Sequence, residues 1–489
     1  MVLLAWQLER AQTKRQGAWV GWLFACVMQV ATWWWLFISL NKYGGLAAPL
    51  TVIAIVGLAA FLALYYAAVC ALFVAVAPLN AVGRAILFAA LWLLAELARV
   101  ALFNGFPWGE GGYAQLDGPL IGLAKIVGVH GLTFISAALA FLLVAWAGLR
   151  APTAQNSRHP RLLAGLVVLI MAGGYFGTAP PDRVESNAQI APFTVTLLQG
   201  NIAQNEKFLP NGGIPDALQW YQSQLLAATA SLVVTPETAI PLLPSQLPQG
   251  YLERFIDRFM KPAPGASPTA AMIGLPLGSN QQGYTNSAIV LKPGSSTIYQ
   301  YDKHHLVPFG EFVHPLFKWF LAIVNIPLAD FNSGSIRQPS LVWQGQRIAP
   351  NICYEDLFGE DLAARFIDPA QAPTIMVNIS NIAWFGNTIA IDQHLNISRM
   401  RAIELERPMV RATNTGATAI IDHTGRVTHS LQRHTRGVLS GAVEGRSSIT
   451  PYAWWAARFG LWPWWGLIFT IISIASYARI YRARSLFNR

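Results

Sequence analysis

The stretch APNICYED, residues 349–356, places a cysteine at the end of an apolar run that predicts a buried strand. Cysteine is rare in this chain, which has three among 489 residues. Cys26 and Cys70 fall inside long apolar segments, where a cysteine is usually a small hydrophobic residue. Cys353 has no nearby cysteine for an internal disulfide or a zinc-type ligand set, so we expect neither there. Two interpretations remain, a core residue or a nucleophile.

Short β-rich runs separated by Pro, Gly and Asn turns surround this stretch. Their nearly continuous apolar character predicts sheets that are covered on both faces, in a layered α/β or α+β domain. Helix-length stretches lie between several of them, for example at 215–230 and 392–406. The predicted strands are 193–202, 231–240, 269–278, 285–294, 296–306, 347–358, 373–381 and 409–422.

Three of these predicted strands end in polar or reactive residues. Glu237 follows LVVTP, Lys303 follows IYQYD and Cys353 follows RIAPNI. A cysteine nucleophile needs a base to remove its proton, and a nearby cation lowers the thiol pKa and stabilises an oxyanion. The three residues therefore form a candidate acyl-transfer site if the strand ends converge. The alternative is a structural Glu–Lys ion pair and an inert core cysteine.

The composition indicates a membrane protein with a soluble middle. Apolar residues make up 54% of the chain and charged residues only 12%. The long apolar runs are confined to residues 1–180 and 455–489. The net charge is +10, and its excess lies mostly in short loops between apolar runs, which are the positions that set membrane orientation. We therefore expect no nucleic-acid partner.

Six apolar runs have the length that a bilayer requires, five before the soluble middle and one after it. Lys and Arg residues cluster in segments that all fall on one side of the membrane if there are five spans, and that side should be the cytoplasm. The sequence thus predicts a membrane domain at 1–180, an extracytoplasmic catalytic domain at 190–447, and a final helix with a basic tail at 455–489. The predicted spans are 18–40, 50–76, 85–103, 132–149, 162–177 and 460–480.

The motifs around the three strand-end residues are recognisable. TPETAIP (235–241), DKHHLVPFGEF (302–312) and NICYED (351–356) together resemble the nitrilase superfamily of carbon–nitrogen hydrolases. Further stretches make nearly the whole chain similar to the apolipoprotein N-acyltransferase family. These stretches are NGFPWGEGGYAQLDGPL (104–120), QGNIAQNEKF (199–208), SNIAWFG (380–386) and RMRAIELERPMVRATNTGATAIID (399–422).

The resemblance implies an α+β membrane protein, with a transmembrane helical bundle and an αββα nitrilase-like sandwich. It implies an enzyme that moves an acyl chain from a phospholipid, typically phosphatidylethanolamine, through a cysteine thioester. The acceptor would be the N-terminal amine of a diacylglyceryl-cysteine apolipoprotein. The resemblance implies no cofactor and no metal, and a multi-pass monomer in the bacterial inner membrane with a periplasmic active site.

The family's roles carry over to matching positions. Cys353 would be the nucleophile and Glu237 the general base and acid. Lys303 would stabilise the tetrahedral oxyanion, together with the backbone N–H of Tyr354.

Other positions match the family's supporting residues. Glu311 in PFGEF corresponds to a second glutamate near the active site, and Tyr354 and Glu355 correspond to the Tyr-Glu pair after the nucleophile. We expect the aromatic rings of Phe208 and Trp384 to contact substrate.

Of the departures from the family pattern, two lie in the motifs around the candidate site. Ile382 in SNIAWFG stands where the family usually has Asp, so either packing holds this loop or activity is affected. The pair Lys207–Phe208 replaces the frequent Lys-Trp, which keeps an aromatic ring but loses the indole N–H. Two other functions stay open, a membrane-anchored amidase with water as acceptor and a catalytically lapsed relative. Retention of all three strand-end residues argues against the lapsed relative.

Overall fold

The computed structural model describes residues 1–78, 80–148, 193–312 and 330–487. The chain divides into two compact units. The first takes in Met1–Trp34, Pro49–Pro180 and Phe459–Arg489, and the second takes in Trp35–Ala48 and Pro181–Arg458. The fifth predicted span, 162–177, lies outside the described residues, so five N-terminal spans remain a prediction.

The helices and strands of the described residues are numbered along the chain. The helices are α1 (Val2–Arg10), α2 (Lys14–Trp33), α3 (Ala48–Val76), α4 (Ala81–Ala101), α5 (Ala124–Trp146), α6 (Gly213–Ala227), α7 (Tyr251–Met260), α8 (Gly359–Ala363), α9 (Ile389–Leu405), α10 (Pro451–Phe459) and α11 (Trp462–Phe487). The strands are β1 (Phe193–Gln199), β2 (Leu232–Val234), β3 (Ala270–Ser279), β4 (Gly283–Leu291), β5 (Tyr299–Asp302), β6 (Leu341–Trp343), β7 (Gln346–Ile352), β8 (Ile375–Ser380), β9 (Met409–Thr413), β10 (Ala419–Ile421), β11 (Val427–Ser430) and β12 (Gly437–Val443).

The first unit is helical. Among the described residues, three helical segments are long and apolar enough to cross a membrane, namely Ala48–Val76, Ala81–Ala101 and Ile121–Trp146. They correspond to the second, third and fourth predicted spans. The bent pair of α10 and α11 is a fourth candidate if the two helices form one span.

The first predicted span, 18–40, differs from the observed helix. Helix α2 ends at Trp33, and a separate π-helical turn follows at Ile38–Tyr43. Beyond this point Trp35 belongs to the second unit, where its ring lies 4.3 Å from that of Phe385.

Close packing of two helices accounts for the burial of Cys70. A Cβ atom added at Gly21 of α2 would lie 2.6 Å from Sγ of Cys70 on α3. Glycine therefore lets the two helices approach closely, as small residues do between membrane helices. Cys70 is buried at this contact, which agrees with its interpretation as a small hydrophobic residue.

The second unit contains two six-stranded sheets, with strand orders β12-β1-β2-β3-β4-β5 and β11-β10-β9-β8-β7-β6. Apolar side chains of both sheets form one shared core, to which Val195, Val234, Ile352 and Val410 belong. Helices α6 and α7 cover the outer face of the first sheet, and α8, α9 and α10 cover that of the second. The predicted αββα sandwich is confirmed.

The sheet topology brings strand ends together. Strands β1, β2 and β3 run parallel in one sheet, and β7, β8 and β9 run parallel in the other. The carboxyl ends of parallel strands share one edge of a sheet, which is where open α/β sheets usually bind ligands. Glu237 follows β2 and Cys353 follows β7, so each stands at such an edge.

Candidate active site

Cys353 occupies a sharp turn directly after β7. Its backbone has φ +53°, in the left-handed region that non-glycine residues rarely adopt, and it opens the 3₁₀ turn Cys353–Leu357. Residues held in this region cluster at active sites, because surrounding structure must stabilise them. Cys353 stays partly exposed while Tyr354 and Glu355 are buried. The turn therefore places the thiol at the margin of the core, partly exposed and still packed against it.

A second tight turn follows β2 and carries Glu237. Thr238 has φ +49°, and the turn lies directly against β3. A Cβ atom added at Gly274 would lie 2.3 Å from the carbonyl oxygen of Pro236 and 3.1 Å from Cα of Glu237. Only glycine at position 274 leaves room for the backbone that presents Glu237.

Lys303 joins two carboxylates. Its Nζ atom lies 3.1 Å from Oε1 of Glu237 and 2.8 Å from Oε2 of Glu311. The side-chain amide of Asn286 donates to both carboxylates at 2.7 Å, and the backbone N–H of Asn381 donates to Oε2 of Glu237 at 2.9 Å. Lys303 is fully buried and Glu237 is 6% exposed. The charged groups of the cluster are thus satisfied by hydrogen bonds as well as by charge, as buried ionic groups require.

The cluster fixes the protonation of its members. Burial alone would raise the pKa of Glu237, but Lys303 and Lys207 outweigh it and lower that pKa below its ordinary value. Burial alone would lower the pKa of Lys303, but Glu237 and Glu311 outweigh it and raise that pKa. The resting site at neutral pH therefore holds a carboxylate and an ammonium.

The thiol departs from the simple expectation that a cation lowers its pKa. Desolvation and the carboxylate of Glu237 raise the pKa of Cys353 well above its ordinary value, and the opposing effect of Lys303 is smaller. The thiol is therefore neutral at rest and lies within electrostatic reach of an ionised base. This arrangement suits removal of the proton during attack rather than a preformed thiolate.

Glu355 ties the Cys353 turn to the Lys303 strand. Its carboxylate accepts hydrogen bonds from the hydroxyl of Tyr301 at 2.8 Å, from the backbone N–H of His304 at 2.6 Å and from the backbone N–H of Ile352. Glu355 is buried, so its role is to hold the two segments in place. The sequence comparison with the family gave it only as part of a Tyr-Glu pair.

Lys207, Asn286 and Asn381 belong to the site but were not predicted as site residues. Lys207 is 3% exposed, and its Nζ atom donates to the carbonyl oxygen of Glu237 at 3.1 Å. Burial lowers the pKa of Lys207 to about 8. The available signal was a lysine and two asparagines within otherwise apolar or motif segments, QGNIAQNEKF, TNSAIV and SNIAWFG.

The two expected aromatic contacts lie outside the hydrogen-bonded cluster. Phe208 is 50% exposed, and its ring lies 5.8 Å from Nζ of Lys207. Trp384 meets Tyr43 edge to face at 5.7 Å. Ile382, in the same loop as Trp384, is 2% exposed, so the loop buries this side chain. Contact of Phe208 and Trp384 with substrate stays a prediction.

In the part of the chain that the structure describes, no group of three or more His, Cys, Asp and Glu side chains could hold a metal ion.

Comparison with known proteins identifies the family. Residues 1–142 match the apolipoprotein N-acyltransferase N-terminal domain, and residues 194–451 match the carbon-nitrogen hydrolase domain. The apolipoprotein N-acyltransferase of Verminephrobacter eiseniae is 56% identical, over 94% of this chain and 87% of its own length. That of Ralstonia nicotianae is 41% identical, over 92% and 83%. An amidase structure from Nesterenkonia sp. has 16% identity and a TM-score of 0.38, and it covers 54% of this chain and 93% of its own. This chain belongs to the apolipoprotein N-acyltransferase family.

Proposed function

We propose that the protein transfers a fatty acyl group from phosphatidylethanolamine, through a thioester at Cys353, to the N-terminal amine of a diacylglyceryl-cysteine apolipoprotein. The observation that carries this proposal is the buried Glu237–Lys303 pair, which lies within electrostatic reach of the only thiol of the second unit. A base, a cation and a thiol in this arrangement are the groups that acyl transfer requires.

In the first half-reaction the sulfur of Cys353 attacks the ester carbonyl carbon of the phospholipid. Glu237 takes the thiol proton as the carbon–sulfur bond forms. The ammonium group of Lys303 and the backbone N–H of Tyr354 stabilise the negative charge on the carbonyl oxygen. The carbon–oxygen bond of the ester then breaks, and Glu237 returns the proton to the departing lysophospholipid oxygen. An acyl thioester remains on Cys353.

In the second half-reaction the amine of the apolipoprotein attacks the thioester carbon. An α-amino group has a pKa near ~8, so a useful fraction is neutral at physiological pH. Glu237 accepts the proton that the amine loses, the carbon–sulfur bond breaks, and the proton passes to the departing thiolate. The thioester supplies the reactivity, so the amide forms without ATP.

Both proposed substrates carry lipid chains, which favours a multi-pass protein in the bacterial inner membrane, and we propose that it acts as a monomer. Three described helical segments apolar enough to span a bilayer support a membrane location. The distribution of Lys and Arg supports a catalytic domain on the periplasmic side. Orientation can be tested by the accessibility of an engineered surface cysteine to an impermeant maleimide in intact cells.

The function is tested by mass spectrometry of purified protein after incubation with phosphatidylethanolamine alone. We expect an acyl adduct on the peptide that contains Cys353, and its loss when a synthetic diacylated lipopeptide is added. The variant Cys353→Ala should fold and insert but carry no adduct. Folded wild-type protein that carries no adduct, and instead hydrolyses simple amides, would favour the amidase alternative.

A further inference from the structure

The carbonyl oxygen of Cys353 is held from behind by two buried side chains. The amide nitrogen of Asn378, on β8, donates to it at 3.1 Å, and Nε2 of His394, on α9, lies 3.3 Å from it. Asn378 and His394 are both buried. Neither side chain belongs to the Glu237–Lys303 cluster, so the acyl-transfer steps described above leave them without a role.

The planar peptide bond couples the Cys353 carbonyl to the N–H of Tyr354. The carbonyl of Cys353 and the N–H of Tyr354 belong to the same planar trans peptide, so they point in opposite directions. Two donors that fix the carbonyl on its buried side therefore also fix the direction of the Tyr354 N–H. That N–H is the backbone donor assigned above to the oxyanion.

Arg411 determines which nitrogen of His394 carries the proton. Its Nη2 atom lies 3.1 Å from Nδ1 of His394, and a guanidinium group can only donate. Nδ1 is therefore the acceptor and Nε2 bears the hydrogen in a neutral ring. That N–H is directed to Oδ1 of Asp356 at 2.9 Å and, more weakly, to the carbonyl oxygen of Cys353.

Charge pairing keeps this arrangement rigid. Nη1 of Arg411 donates to Oδ2 of Asp356 at 3.0 Å, and the hydroxyl of Ser398 donates to the same oxygen. Asp356 lies in the turn that begins at Cys353, Ser398 lies on α9 and Arg411 lies on β9. All of these side chains are buried. The network thus joins the nucleophile turn to two other elements of the fold.

We infer that His394, oriented by Arg411 and Asp356, is a positioning residue for the oxyanion-binding N–H of Tyr354. Together with Asn378 it sets the plane of the Cys353–Tyr354 peptide. The inference rests on the acyl-enzyme function proposed above and assigns a specific part of that site to a buried network. This role differs from those of the base and the cation. His394 affects the oxyanion through the N–H of Tyr354, and it does not take the thiol proton.

Two small reagents separate this role from a merely structural one. Alkylation of Cys353 by iodoacetamide is a substitution at saturated carbon and forms no oxyanion. Acylation of Cys353 by p-nitrophenyl acetate passes through a tetrahedral oxyanion. For His394→Ala we expect acylation to fall about 10²-fold, as for a misplaced catalytic group, while alkylation stays within about twofold. The retained alkylation rate reports that the thiol and its base are undisturbed, and the melting temperature of His394→Ala reports separately that the variant is folded.

Two further variants sharpen the test. His394→Gln supplies an amide N–H near the position of Nε2, so we expect it to recover much of the acylation rate. His130→Gln changes a buried histidine of the first unit, 3.4 Å from a carboxylate of Glu110, and should leave both reactions at Cys353 unchanged.

Equal losses of alkylation and acylation in His394→Ala would overturn the inference, and so would no loss of either. The small ester reports on the oxyanion alone. Failure of wild-type protein to accept an acyl chain from phosphatidylethanolamine, with acylation by the small ester intact, would therefore contradict the proposed donor and not the role of His394.

Discussion

The Nζ atom of Lys303 lies 3.1 Å from Oε1 of Glu237, and both side chains are buried. A carboxylate in this position stays ionised because the ammonium group stabilises it. The same contact keeps the ammonium charged for use at the oxyanion. The pair therefore prepares two roles at once, a base for the thiol proton and a cation for the developing oxygen charge.

Replacement of the base should separate chemistry from folding. Glu237→Gln keeps the size of the side chain and an acceptor oxygen but cannot take a proton. We expect thioester formation to fall by about 10²–10⁴-fold, the range for loss of a general base. The adduct on Cys353 after incubation with phospholipid measures this. The exposed Glu253→Gln is the matched control, and an active Glu237→Gln enzyme would refute the base assignment.

The same pair should stabilise the fold over a defined pH window. The folded pKa of Glu237 lies below 4.5, so its contribution is present above that pH and is lost as pH falls through the folded pKa. The folded pKa of Lys303 lies above 10.5, so its contribution is present below that pH and is lost as pH rises through the folded pKa.

Thermal unfolding in detergent, compared between wild type and Glu237→Gln, measures this contribution. The difference in melting temperature should be constant near neutral pH and shrink below about pH 4.5, because the unfolded chain then binds a proton that the folded protein takes up only at lower pH. A difference that does not change with pH would show that the ion pair contributes no net stability.

Lys207 should give the acylation rate a pH dependence near neutrality. Burial lowers the pKa of Lys207 to about 8, so its charge beside Glu237 disappears as pH rises through that value. We expect thioester formation from phospholipid in wild type to slow as pH rises through about 8, because Lys207 then loses its charge. In Lys207→Met this change should vanish. The rate at pH 7 should fall roughly tenfold, which corresponds to the loss of about 1.4 kcal/mol of electrostatic stabilisation. Persistence of the change in Lys207→Met would assign it to another group.

The strand-end residues could be predicted because their signal is local. Glu237, Lys303 and Cys353 each interrupt an apolar run at its end, where a buried sheet would otherwise continue. Helix α7 carried an equally clear signal, with apolar residues at 251, 252, 255, 256 and 259, yet it was not predicted. A local sequence pattern is therefore sufficient to find the strand-end residues, and it is also sufficient to find α7.

Other features depend on contacts that are distant in sequence. Strand β12 pairs with β1, with Val443 opposite Phe193, and its alternating burial gives a weak pattern. The run 409–422 forms two strands, because a turn around Gly416, with φ +133°, divides it. Asn286 is a buried amide in a strand, and only the fold shows that it bridges two carboxylates.

Glu355 should act by holding the Cys353 turn against the Lys303 strand, and its loss should matter more than the loss of the Tyr301 hydroxyl. In Glu355→Gln the amide nitrogen cannot accept from a backbone N–H, so one link between the Cys353 turn and the Lys303 strand is lost. We expect acylation to fall about 10²-fold with little change in substrate affinity. Tyr301→Phe removes only a hydroxyl donor and should have a much smaller effect. Equal losses in the two variants would indicate that the carboxylate matters only through Tyr301.

Substitutions at Ile382 test whether apolar packing or polar contacts hold this loop. Ile382 is 2% exposed, so an aspartate at this position would have to bury a carboxylate. Without a new partner, Ile382→Asp should lower the free energy of unfolding by about 3 kcal/mol, the cost of an unsatisfied buried polar group, while Ile382→Val should cost about 1 kcal/mol. Urea unfolding followed by tryptophan fluorescence compares the two. If Ile382→Asp is as stable as wild type, the loop contains a donor for that carboxylate, and packing alone does not hold it. A loss of about 3 kcal/mol would instead mean that apolar packing by Ile382 holds this loop, whose Asn381 N–H donates to Glu237.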